Sequence, residues 1–94
     1  MRHGSFGASG REHGQEFGLI LRDLEVILTR GERVMHGGDC HAAMRALVHS
    51  SHLHGQAQAH RDEAATIQGL SRRWILAGTR LNRLEVAVRG CVQG

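Results

Sequence analysis

Eight histidines and two cysteines among 94 residues are the first place to look for chemistry, and several of them crowd together. His49, His52 and His54, with Cys40 and His41 upstream, are side chains that suit zinc or another transition metal. Their spacing does not suit it. On a helix His49 and His52 share a face while His54 points away, and no Glu-x-x-His pair of the kind that builds a di-iron centre is present. The chain is therefore expected to hold no metal and no cofactor. A nucleophile with its base would need Cys40 or a serine beside a histidine and an orienting acid. Asp39, Cys40 and His41 are adjacent in sequence, but adjacency is not the geometry that catalysis demands. Asp39 reads as a helix cap and Cys91 as a small apolar filler. No Gly-rich phosphate loop occurs. The expectation is a protein that is not an enzyme.

Such side chains would have to be carried on helices. The chain has one Trp, two Phe, no Tyr and no Pro, a composition poor in what sheets draw on and free of what breaks helices. From Phe17 the residues Phe17, Ile20, Leu21, Leu24, Ile27, Leu28, Val34 and Met35 recur at three and four, with Arg22, Asp23, Glu25, Arg30 and Glu32 on the other face. This predicts an amphipathic helix over about 16–36. Residues 1–14, rich in Gly and Ser, are expected to form a flexible tail, leaving 15–94 as a single helical domain. His36-Gly37-Gly38-Asp39 should end the first helix and cap a second, expected over about 40–54 and packed through Ala43, Met44, Leu47 and Val48. Around 50–58 the stripe fades at Gly55, and a weak or kinked stretch is expected there.

The last third carries the clearest pattern. Ile67, Leu70, Trp74, Ala77, Leu81, Leu84, Val88 and Cys91 alternate spacings of three and four, the seam of a helix packing along another helix in coiled-coil fashion. A helix over about 57–92 is expected. Periodicity leaves open whether 40–92 is one bent helix or two, although the stripe favours continuity through Gly69. The fold class is all-α: an antiparallel helical hairpin or small bundle with a long C-terminal heptad helix. Phe17 to Met35 looks too short to cover the whole stripe, so part of the seam is expected to stay exposed and to drive self-association or client binding.

Twelve Arg and no Lys give a formal charge of +3, and residues 1–59 balance six Arg against six acids. The surplus sits beyond residue 59, where a basic helix could meet an acidic partner or a phosphate backbone. Two cysteines do not make a disulfide framework, and the chain reads as having no secretory leader. No apolar run approaches the roughly 20 residues needed to span a bilayer. A cytoplasmic protein with no membrane contact is expected.

Two resemblances sharpen the functional expectation. Glu63-Ala64-Ala65, Gly69-Leu70-Ser71-Arg72-Arg73, Ile75 and Arg83-Leu84 resemble the helix-turn-helix of excisionase-type DNA-binding proteins over residues 61–84. That likeness implies Gly69 at a turn, Ser71 capping a recognition helix, and Arg72, Arg73 and Arg83 on DNA. Over residues 16–92 the helix, Gly-Asp turn, second helix and heptad helix, with Trp74-Ile75-Leu76-Ala77-Gly78 followed by Asn82, resemble the FlgN-type flagellar export chaperones of bacteria. That likeness implies a non-enzymatic cytoplasmic chaperone of flagellar type III secretion, docking amphipathic helices of its client protein. On this reading Leu70, Trp74, Leu81, Leu84 and Val88 are the apolar anchors and Arg73, Arg80 and Arg83 set register. The unbroken heptad favours the chaperone reading over the DNA-binding alternative.

Overall fold

The structure is a computed structural model and describes residues 4–64, 67 and 69–93. It is all-α, as expected, with three helices: α1 (Gly4–His36), α2 (Cys40–Glu63) and α3 (Ser71–Gln93). Among the described residues there is no strand. The helices lie side by side in a rod with principal extents of 55 × 23 × 16 Å.

The first reversal is built by the residues the sequence singles out. α1 ends in a Schellman turn: Asp39 N–H donates to the Val34 carbonyl at 2.9 Å and Gly38 N–H to that of Met35 at 3.0 Å. Gly38 sits at φ +84°, the left-handed conformation this turn requires. Asp39 then caps α2, its Oδ1 accepting from Ala42 N–H at 3.0 Å.

The second reversal interrupts the seam that was expected to run on unbroken. α2 stops at Glu63, with Ala64 extended, and Leu70 N–H closes a turn onto the Ile67 carbonyl at 2.8 Å. Gly69 takes φ +89° inside that turn, and Leu70, whose carbonyl accepts the first bond from Trp74 N–H, stands at the α3 cap position. Ser71 is thus the first helical residue rather than the cap. Residues 57–63, expected to begin the C-terminal helix, belong instead to α2. α2 also runs straight through 50–58 without the expected break. At the other extreme α1 begins at Gly4, so residues 4–14 continue the helix rather than forming a tail; 1–3 lie outside the described residues.

Contacts fix the directions. Cys40 at the start of α2 meets Cys91 near the end of α3, while His54 meets Trp74, so α2 and α3 are antiparallel. Glu25 pairs with Arg73 and Glu32 with Arg80, so α1 and α3 run parallel. The core joins Phe17, Leu21, Leu24 and Leu28 of α1 to Ala43 and Ala57 of α2 and to Ala77, Leu84 and Val88 of α3. On α2 the buried residues are Ala43, Ala46, Ser50 and Ala57, whereas Met44 and Val48, expected inside, are exposed. Small side chains on this seam let the helices approach closely. Gly31 marks the tightest point: a Cβ there would lie 2.8 Å from a Leu84 methyl and 3.0 Å from the Ala46 Cβ.

Candidate binding surface

The heptad seam of α3 is inside the bundle. Leu84 and Val88 are 3% and 0% exposed, and Ile67, Leu70, Trp74 and Leu81 are half-buried against the same core. Trp74 packs edge-on to Phe17, with ring centroids 5.3 Å apart, and lies flat on His54 at 4.5 Å. Of the five residues read as client anchors, Leu84 and Val88 belong to the core of the chain itself, while Leu70, Trp74 and Leu81 pack against that core and stay partly exposed.

Two of the arginines read as setting register do so within the molecule. Arg73 grips Glu25 with two bonds, Nε to Oε2 at 2.9 Å and Nη2 to Oε1 at 2.6 Å. One heptad further on, Arg80 grips Glu32 at 2.8 and 2.7 Å and donates to Thr29 Oγ1 at 3.0 Å. Bidentate geometry of this kind favours the charged forms. The Arg80 bond holds the Glu32 carboxyl below its ordinary range against the opposing effect of burial, and the same pairs push Arg80 and Arg73 further up. Arg83 stays exposed.

The excisionase-like reading meets a mixed outcome. Gly69 does form the turn, but a helix-turn-helix needs two helices crossing at roughly 90–120°, and α2 and α3 lie antiparallel along the rod. Arg73 is committed to Glu25, while Arg72 and Arg83 are exposed on α3. Ala65 of that motif lies outside the described residues.

The residues considered for a metal site, Cys40, His41, His49, His52 and His54, do not converge on one point. His41, His49 and His52 face outward from α2, and His54 turns in towards Trp74, where burial lowers its pKa. Among the described residues no group of three or more His, Cys, Asp or Glu could hold a metal ion. Cys40 and Cys91 are joined in a disulfide, with Cα atoms 5.9 Å apart, where the sequence led us to expect free thiols and Cys91 as a filler. Cys91 faces inward as a filler would, and α2 brings Cys40 to meet it. Asp39 is engaged as the α2 cap.

What α3 offers to the outside is a different strip. Ile75, Leu76 and Val86 are 67%, 55% and 64% exposed, with exposed Arg72 and Arg83 beside them. α3 carries five Arg and one Glu. Arg73, Arg80 and Arg89 are paired with Glu25, Glu32 and Glu85, which leaves the positive character concentrated along this strip. Sequence reading passed over Ile75, Leu76 and Val86 as binding residues because they fall off the heptad; their signal was apolar side chains at positions where an inward-facing helix should be polar. No protein-family profile matches the chain, and neither a curated protein nor a solved structure does. No helix of the described residues is long and apolar enough to cross a membrane.

Proposed function

We propose that this chain is a non-enzymatic helical binding module that docks an amphipathic, acid-flanked helix of a client protein, in the manner of the export chaperones it resembles. The observation that carries this reading is the outer face of α3, where exposed Ile75, Leu76 and Val86 are interleaved with exposed Arg72 and Arg83. Apolar contact would supply affinity and the arginines orientation, a helix-in-groove mode with charge complementarity. The docking surface differs from the seam first considered, whose residues the bundle uses internally.

The cysteines bear on the cellular setting and set this chain apart from the cytoplasmic chaperones it resembles. A cytoplasmic chaperone would keep Cys40 and Cys91 as thiols, whereas a closed pair fits an oxidising compartment, and the disulfide inclines the reading towards the latter. A direct test uses a synthetic acidic amphipathic helical peptide titrated against the protein. Replacing Ile75 and Leu76 together by Glu should weaken binding at least about tenfold, or roughly 1.4 kcal/mol, while circular dichroism stays helical. Unchanged affinity in the folded variant removes this strip from the interface. Binding to duplex DNA that falls log-linearly with salt, and is lost on replacing Arg72 and Arg83 by Ala, would instead favour the nucleic-acid alternative.

A further inference from the structure

One end of the rod gathers three half-buried histidines. His13 of α1 and His60 of α2 face each other with Nδ1 atoms 2.7 Å apart and ring centroids at 4.9 Å. His54 lies at the same end, stacked on Trp74 with the ring planes 17° apart. An Nδ1 to Nδ1 contact holds one proton between two nitrogens, one ring donating and the other accepting. It survives a first added proton, which the donor ring takes at its outer Nε2. A second added proton must land on the accepting Nδ1, which destroys the bond and leaves two cations face to face.

Charges of both signs surround the pair, and no carboxylate is in ion-pair contact with either ring. On α1, Arg11, Glu12 and Glu16 flank His13; on α2, Arg61, Asp62 and Glu63 flank His60; α3 begins with Arg72 and Arg73 nearby, and the sequence of 64–70 has no titratable residue. All eight of those charged residues are exposed. Ion pairs among the described residues are Arg61–Asp62, Arg73–Glu25, Arg80–Glu32 and Arg89–Glu85, none of them involving an imidazole. Burial lowers the His54 pKa and so favours its neutral form. Its contribution to stability is therefore whole above the ordinary histidine pKa of about 6.5 and is lost as pH falls through its depressed folded value.

The opposite end is closed by the Schellman turn at Gly38, the Asp39 cap and the Cys40–Cys91 bond, with His36 and His41 exposed beside them and no histidine-to-histidine bond. We propose that the histidine end is an acid-opened gate: protonation of both rings of the His13–His60 pair breaks the bond between them, the helices part there, and the disulfide end acts as the hinge. Opening uncovers Phe17, Leu70 and Trp74, an apolar surface the closed rod keeps for itself. The trigger is proton concentration and the response is exposure of apolar surface.

The chain's one Trp reports on the gate directly, since it sits on His54. In the disulfide-bonded protein, lowering the pH from 8 to 5 should shift Trp74 emission to the red and raise binding of an apolar fluorescent dye while far-UV helicity is largely kept. The melting midpoint should fall by at least about 5 °C over the same range. The ordinary carboxylate pKa, near 4, lies below this range. Replacing His54 by Phe and His60 by Gln keeps a ring on Trp74 and a hydrogen-bonding partner for His13 without the added charge, and should at least halve both shifts. Wild-type emission and midpoint that do not move between pH 8 and 5 overturn the proposal on their own. So does a folded double variant that retains the full response.

Discussion

The two ends of this rod are closed by different chemistry. At one end a backbone turn through Gly38 and a bond between Cys40 and Cys91 tie all three helices together. At the other, α1 and α2 meet through two imidazoles, and α2 meets α3 through an imidazole laid on Trp74. The first closure is a backbone turn and a covalent bond; the second is made of imidazoles, which lose their contact when both rings of a pair carry the extra proton. Between them lies a seam of alanines on α2 that buries little area per residue. A bundle with so thin a middle leans on its ends, and the contrast between the ends governs how it loosens.

An effect as large as any in the molecule should come from the histidine end. Trp74→Ala removes the ring that bridges Phe17 and His54, and should cost roughly 3 kcal/mol of stability, at the lower part of the range for large aromatic deletions because Trp74 is half-buried. Denaturant unfolding followed by circular dichroism would measure it. A loss near zero would mean that this end is already loose in the native state.

Next comes the covalent end. The disulfide spans 51 residues of chain, and replacing both cysteines by Ser should cost about 2–4 kcal/mol, nearly the same at pH 8 as at pH 6. A cost that varied strongly with pH would show the two ends to be coupled rather than separate. A smaller effect of opposite sign belongs to the middle. Ser50 is fully buried and its Oγ has no hydrogen-bond partner, so Ser50→Ala should stabilise by about 1 kcal/mol, read from the same unfolding curves. Destabilisation would point to a partner for that hydroxyl, and so to a middle less thinly held.

How far these features could be read in advance differs by region. The α1 stripe, the Gly-Gly-Asp reversal and the inward residues of α3 follow from spacing alone, because large aliphatic side chains and a capping Asp carry strong local signals. The α2 seam was obscured because Ala43, Ala46, Ser50 and Ala57 look neutral on any hydrophobic scale, and Met44 and Val48 drew the expected face a quarter turn round. The break before α3 was hidden by an accident of phase. Ala64, Ile67 and Leu70 follow at two successive steps of three, a slip that an unbroken heptad does not make. The disulfide could not be read at all without the antiparallel register that brings residue 40 to residue 91. The outward strip of Ile75, Leu76 and Val86 was legible only once the seam had been assigned inward.

Residue-resolved hydrogen exchange of the disulfide-bonded protein at pH 8 and pH 5, expressed as protection relative to the unfolded chain, tests the contrast between the ends most directly. The account predicts that at pH 5 protection falls first around Phe17–Leu21 and Leu53–Ala57, while Leu28–Met35, Ala43–Leu47 and Leu84–Val88 keep theirs. Equal loss along the whole rod, or loss beginning beside Cys40 and Cys91, would contradict it.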